Sequence, residues 1–298
     1  MKKTKTLALL ASILMLVATL TSCEKFALEE SGTNTHDANA NVIIRVDKIG
    51  NIDFEPLTKA SEKTISDVCS RLSFAVFDGE EKVAIDNQVS TDNGFGRAGF
   101  KLDEGEYRLV VVGHNGAGNC TISAPEKIKF SNNKLTDTFY YCGRLSVSED
   151  GAETDIPLKR AVSRICVHIN DEKLPTDAHS IKFYYTGGSS TLDATTGTGC
   201  VNSRQTENFK LSEDVRDYTV YTFPHADSNT ISMTITILDP DGKTLNTFKN
   251  ESMKVACNHT TQANITLNGK SPGGSSSGGI HITFDDDWGE DIEGGSFE

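Results

Sequence analysis

Apolar and polar residues alternate with a period of two through most of this chain, which restricts it to β-sheet architecture. The cleanest run is Ile231-Ser232-Met233-Thr234-Ile235-Thr236-Ile237, strict alternation over seven residues. Such a run is an antiparallel strand with one face on a core and one in water. Val42, Ile44 and Val46 alternate with Ile43, Arg45 and Asp47 in the same way. Leu72, Phe74 and Val76 repeat the pattern, as do Tyr107, Leu109 and Val111, then Ile181, Phe183 and Tyr185, then Tyr218, Val220 and Thr222. Ala161, Ile165, Val167 and Ile169 share one face of a single long strand, with Arg164 and His168 on the other. Turn residues punctuate these runs at Asp78-Gly79, Asp103-Glu104-Gly105, Asp150-Gly151 and Pro240-Asp241-Gly242. No stretch after residue 24 carries a 3.6-residue period of helical length. The expected fold class is therefore all-β, with many short strands and regular turns building β-sandwiches.

The first twenty-three residues carry a different message. Lys2, Lys3 and Lys5 precede an apolar run from Leu7 to Leu20, and Leu20-Thr21-Ser22-Cys23 follows. A basic start, a short apolar core and a small-residue cleavage site make a secretory signal. The run is too short to be a permanent membrane span. A cysteine directly after Leu-Thr-Ser is the bacterial lipobox pattern, so cleavage is expected between Ser22 and Cys23. The sulfur of Cys23 would then carry a diacylglycerol and its amine usually a third chain. Each buried methylene contributes ~0.8 kcal/mol, so two or three long chains hold a protein firmly to a membrane. This covalent lipid is the only prosthetic group expected. The formal charge of −13 falls to −16 once the three leader lysines are gone. That balance excludes nucleic acid as a partner, because phosphates demand clustered Lys and Arg.

About 275 residues remain after cleavage, enough for two domains. The expected organisation is a signal peptide over 1–22, a lipidated tether over 23–41, an N-terminal β-sandwich over 42–155 and a C-terminal β-sandwich over 156–268. The boundary follows the acidic turn Glu149–Asp155, after which Ile156-Pro157-Leu158-Lys159-Arg160 opens a new strand. A Gly/Ser linker over 269–279 leads to a C-terminal strand and acidic tail over 280–298. There Ile280, Ile282 and Phe284 alternate with polar residues, and Trp288 follows. An alternating strand on a leash needs a partner for its edge and its face. It either folds back onto its own sandwich or acts as a donor strand, adding to an edge of another molecule.

Besides Cys23 there are cysteines at 69, 120, 142, 166, 200 and 257. Six allow three disulfides, but Cys142 and Cys166 sit in apolar strand-like runs where free cysteine behaves as a small hydrophobe. No catalytic constellation is visible. Gly187-Gly188-Ser189-Ser190 lacks the Gly-x-Ser-x-Gly spacing of a nucleophile elbow. Asp239-Pro240-Asp241-Gly242 lacks the bidentate Glu of a calcium loop and reads as a hairpin turn. Asp285-Asp286-Asp287 reads as a solvated tail, and no two histidines have metal-ligand spacing. The chain is read as a non-enzyme without a metal site.

The lipobox start, the segment Phe100-Lys101-Leu102-Asp103-Glu104-Gly105-Glu106-Tyr107-Arg108-Leu109-Val110-Val111 and the strand Leu158-Lys159-Arg160-Ala161-Val162-Ser163-Arg164-Ile165 resemble the fimbrillin superfamily of Bacteroidales. Asp137-Thr138-Phe139-Tyr140-Tyr141 and Tyr185-Thr186-Gly187-Gly188-Ser189-Ser190 are most similar to its FimB-like fimbrial subunits, described as anchors or adhesion proteins. The resemblance covers essentially the whole mature chain, and the order and spacing of the motifs carry it. It implies two tandem transthyretin-like β-sandwich domains, delivery to the outer membrane as a lipoprotein, and assembly with other fimbrial subunits by strand addition. In this superfamily stalk subunits are trimmed by an arginine-specific protease, which removes the first strand and opens a groove, while anchors stay lipidated and keep it. Arg45 inside the first strand and Arg71 just before the next are the candidate trimming sites, and the sequence does not choose between them. Arg45 also reads as an exposed strand residue opposite Val42, Ile44 and Val46. The expected function is that of a fimbrial anchor or accessory subunit in cell adhesion. The alternatives are a polymerising stalk or tip subunit trimmed after an arginine, and a glycan-binding surface lipoprotein, which the single Trp disfavours.

Overall fold

The computed structural model describes residues 39–49, 52–53, 64–267 and 281–285, and strands dominate them. Ser22, Cys23, the linker 269–279, Ile280 and Trp288 lie outside the described residues. The exceptions to strand are one helical turn, α1 (Ile65–Val68), and a 3-10 turn over Ser131–Asn133.

The N-terminal half contains β1 (Val42–Ile49), β2 (Ile52–Asp53), β3 (Arg71–Asp78), β4 (Glu81–Val89), β5 (Arg97–Phe100), β6 (Gly105–His114), β7 (Thr121–Ala124), β8 (Lys127–Lys129), β9 (Thr138–Val147) and β10 (Ala152–Arg160). One sheet runs β2-β1-β10-β9-β6-β3-β4, with β5 also on β1. It folds over at β10. Residues 152–158 of that strand pair in parallel with β1, whereas Lys159 and Arg160 pair with Tyr140 and Phe139 of β9. Two layers result, and Val42, Ile44, Ile156 and Leu158 from one pack on Leu72, Phe74, Leu109 and Val111 from the other. The period of two in the sequence is what places all of these side chains on inner faces.

The C-terminal half contains β11 (Ser163–Ile169), β12 (Ser180–Thr186), β13 (Thr191–Asp193), β14 (Thr198–Gly199), β15 (Arg204–Lys210), β16 (Asp217–Thr222), β17 (Thr230–Leu238), β18 (Thr244–Lys254), β19 (Thr260–Ile265) and β20 (His281–Asp285). Its two main sheets run β16-β11-β19-β20 and β15-β12-β17-β18. Ile165, Val167 and Ile169 of the first enclose a core with Ile181, Phe183, Tyr185, Ile235 and Ile237 of the second. The expected strand at 231–237 is the middle of β17, and Asp239 makes the hairpin turn after it. Its Oδ1 accepts the N–H groups of Asp241 and Lys243 at 3.0 and 2.8 Å.

Two expectations about individual strands are corrected. The strand expected to run unbroken through Ala161 to Ile169 is two strands, because Ala161 and Val162 lie between β10 and β11. β10 also runs across residue 156, near which the expected boundary falls. The runs at 72–76 and 107–111 were expected to leave one face in water, yet β3 and the second half of β6 are buried on both faces. Their outer sides, Ala75, Phe77, Val110 and Val112, form a third core with Ile122, Ile128, Leu192 and Phe223. That core joins the two halves. Above it lies a small sheet in the order β14-β13-β8-β7, in which Thr191 and Leu192 pair with Lys129 and Ile128. All six described cysteines are free thiols. Burial pushes Cys69 up to about 12 and Cys120 and Cys257 up to about 11, so these thiols are poor nucleophiles at neutral pH.

Candidate assembly interface

Strand edges and strand ends are the chemistry available here, since the main chain carries one donor and one acceptor per residue. β1 has no free edge. Val42–Ile49 pairs along one side with β10, while on the other side Val42–Arg45 pairs with β5 and Lys48–Ile49 with β2. Arg45 sits in the middle, opposite Asp155 on one side and Arg97 on the other. Its Nε donates to Asp155 Oδ1 at 2.8 Å, and a second guanidinium nitrogen pairs with Glu153. Those two carboxylates, Glu153 first, hold the guanidinium above its ordinary pKa. The peptide bond after Arg45 is equally engaged, for Val46 N–H donates to Gly96 O at 2.9 Å. Val42, Ile44, Val46 and Ile49 all belong to the N-terminal core.

Arg71, at the start of β3, is a clasp for the loop after β6. Its guanidinium donates to Gly116 O at 3.0 Å, Ala117 O at 2.9 Å and Asn119 Oδ1 at 2.7 Å. Its backbone pairs with Val89 on one side and His114 on the other. Cleavage after either arginine therefore requires opening of a doubly paired strand. Digesting the native chain with an arginine-specific protease should yield no product beginning at Val46 or Leu72 until denaturant opens the fold. Early cleavage at Val46 in native buffer would show instead that β1 is loosely held.

At the other end of the chain, β20 pairs antiparallel with β19, Thr260 opposite Asp285 through Asn264 opposite His281. Ile282 stands opposite Ala263 and Phe284 opposite Thr261 in this register. Of the two fates open to this segment, the structure has it docked on its own sheet as the outermost strand. Of the candidate donor residues, Ile282 and Phe284 are thus placed in register, while Ile280 and Trp288 lie outside the described residues, as does Cys23, the expected site of lipidation.

The remaining sequence candidates have structural employment. Ser189 Oγ donates to Thr191 O at 2.7 Å and accepts from Thr191 N–H and Val201 N–H, tying a buried turn. Among the described residues, no group of three His, Cys, Asp or Glu side chains is placed to hold a metal ion. One polar cluster went unnoticed in the sequence. Arg160, at the end of β10, grips Asp137 through two nitrogens at 2.7 and 2.9 Å and Asn258 Oδ1 at 2.9 Å, with its carbon 4.8 Å from the Phe139 ring centre. A basic residue on an alternating strand is ordinarily solvated, and only the parity of Ile156, Leu158 and Arg160 hints that its side chain turns inward.

Residues 34–294 match the family described as fimbrillin-A associated anchor proteins Mfa1 and Mfa2. No curated protein matches. Among solved structures, a candidate cell adhesion protein from Bacteroides ovatus is 14% identical, with a TM-score of 0.48, over 84% of this chain and 98% of its own. The fimbrial anchor protein Mfa2 from Porphyromonas gingivalis is 9% identical, with a TM-score of 0.40, over 82% of this chain and 96% of its own. A fimbrial assembly protein from Parabacteroides distasonis is 13% identical, with a TM-score of 0.38, over 82% and 97%.

Proposed function

The chain belongs to the family of fimbrillin-A associated anchor proteins, and from that premise we propose that it is a lipid-anchored fimbrial anchor or accessory subunit of the outer membrane. The observation that carries this reading is the position of β1. A lipid on Cys23 stays attached only while the segment after it stays attached, and β1 is a core strand bonded along both edges. That placement supports retention of the N-terminal segment and speaks against a subunit trimmed at Arg45 or Arg71. The role is mechanical, with no catalytic step and no cofactor beyond the lipid. The lipid supplies attachment, the tether supplies clearance, and laterally bonded sheets resist pulling.

The partners are other fimbrial subunits, joined by strand addition. β20 is the segment suited to exchange. Its pairing with β19 covers five residues, and each main-chain bond is worth only about 0.5–1.5 kcal/mol net. A strand held so modestly can leave its own sheet and add Ile282 and Phe284 to a neighbour's edge.

Mass spectrometry of the protein taken from the cell surface tests the anchor reading. The expected chain begins at acylated Cys23, and replacing Cys23→Ala should release the protein from the membrane. A native chain beginning at Val46 or Leu72 would overturn the anchor in favour of a polymerising subunit. Deleting residues 280–298 should leave both halves folded and abolish attachment of fimbriae. Normally attached fimbriae on such cells would sink the role of the strand.

A further inference from the structure

A crevice of about 320 Å³ opens where the two halves meet, bounded by residues 114–118, by the segment around the 3-10 turn, and by β15 and β16. Its volume is at the lower end of the roughly 300–1,000 Å³ typical of small-molecule sites. Three features of its wall are unusual for a packing defect. Glu207 stands on the core-facing row of β15, opposite Phe183 and between Gln205 and Phe209. Its side chain is only 14% exposed, and its counter-ion is Lys134 at 3.2 Å, reaching across from the N-terminal half. A carboxylate on the apolar side of a strand costs free energy to desolvate, and here pairing with Lys134 across the two halves offsets that cost.

His114 is the second feature. It is 1% exposed, and its Nδ1 accepts the Gly116 N–H at 3.0 Å. Burial lowers its pKa to about 4, so the ring is neutral at pH 7 and its proton sits on Nε2. That Nε2 is sealed from solvent without a protein partner, so the ring is a dry, neutral part of the wall. The third feature is the pairing of ring walls with an amide at the rim. Phe209 and Tyr221 are half-buried there, and Asn132 is exposed in a left-handed conformation with φ of 56°.

We propose that this crevice is a binding site for a neutral saccharide unit. Glu207 and Lys134 cancel, so neither an anion nor a cation finds unspent charge. A phosphate would need more than one basic group, and Lys134 is the one basic residue in the wall. An aliphatic chain would strip water from the Glu207–Lys134 pair and from Asn132 and return no hydrogen bond. A sugar matches the remaining chemistry. Its hydroxyls donate to Glu207 and Asn132 and accept from Lys134 and the Asn132 amide, while its C–H face lies on Phe209 and Tyr221. This site is independent of the anchor reading, which requires no ligand.

Saturation-transfer NMR on the full chain, with Cys23→Ser to omit the lipid, tests the proposal with methyl glycosides of glucose, galactose, mannose and N-acetylglucosamine. At least one should bind with a Kd of ~1 mM or tighter, and Glu207→Gln should weaken it by about tenfold or more, as loss of a charge-assisted bond implies. Asn132→Gly, which removes the amide and tolerates the left-handed backbone, should weaken the same glycoside and serves if Glu207→Gln does not fold. The unfolding temperature should rise with that glycoside in the parent and not in Glu207→Gln. No transfer to any of the four, or equal binding by parent and both variants, would overturn the proposal and leave the crevice to water.

Discussion

Replacing Arg160 by alanine is expected to destabilise the fold by about 3–5 kcal/mol, the range for removing one member of a buried ion pair. Arg160 is 8% exposed, and its bidentate contact with Asp137 leaves that carboxylate little access to water. Truncation strands the Asp137 charge in a desolvated site. It also frees Asn258, whose side chain receives the third guanidinium bond while its own N–H donates to Val162 O at 2.9 Å. Asn258 lies in the turn before β19 in a left-handed conformation, with φ of 60°. The cluster thus pins the end of the N-terminal sheet to the turn that starts a C-terminal strand. Arg160→Lys should recover little, because an ammonium cannot reproduce the planar fork. Chemical denaturation reads the effect. The paired change Arg160→Met with Asp137→Asn should cost clearly less than Arg160→Ala, since no charge is left behind. A loss below about 1 kcal/mol for Arg160→Ala would mean that water already solvates Asp137.

Phe223→Ala should be of similar size, about 3–5 kcal/mol, and different in character. Phe223 is fully buried in the core between the halves, its ring 5.4 Å from Phe130 at a tilt of 38°. Its backbone exchanges bonds of 3.0 and 3.1 Å with Ser189, so the strand stays in place and a void replaces the ring. The void weakens the contact between halves while sparing the cores on either side. Hydrogen exchange should therefore rise most in β7, β8 and β13 and least in β1 and β17. Denaturation should also broaden as the halves cease to unfold together. A uniform rise in exchange across the chain would show that the junction is no separate unit of stability.

Much of the sheet structure was legible because burial on one face writes a period of two directly into the residues. The strand at 231–237 is the clearest case, inside β17. Legibility failed where a strand is buried on both faces. Phe74-Ala75-Val76-Phe77 and Leu109-Val110-Val111-Val112 are continuous apolar runs, which mark strands covered on both sides. The even-numbered or odd-numbered sets alone look like ordinary half-wet strands. Residues 156–169 carried another readable sign. Ile156, Leu158 and Arg160 are buried at even positions, then Ile165, Val167 and Ile169 at odd ones. A change of parity marks the point where the chain leaves one sheet for another. Arg160, Asp137 and Asn258 were beyond reach, since ninety-eight residues separate the first from the last and no local pattern links them. Arg45 and Arg71 could be proposed as cleavage sites from residue type alone. Only the pairing of their strands reveals how well both are guarded.

The small sheet β14-β13-β8-β7 bears on how this chain can vary. Its two inner strands come from opposite halves and meet through Thr191–Lys129 and Leu192–Ile128. Neither half owns the sheet, so neither can be exchanged as a module. A chimaera taking residues 163–267 from a relative would inherit β13 without the β8 that pairs with it, and the hairpin β7–β8 would present a bare edge. Recombination that succeeds must carry residues 121–129 and 191–199 together. The halves are thereby bound to change in step, and substitutions at Ile128 and Leu192 should answer one another across the seam.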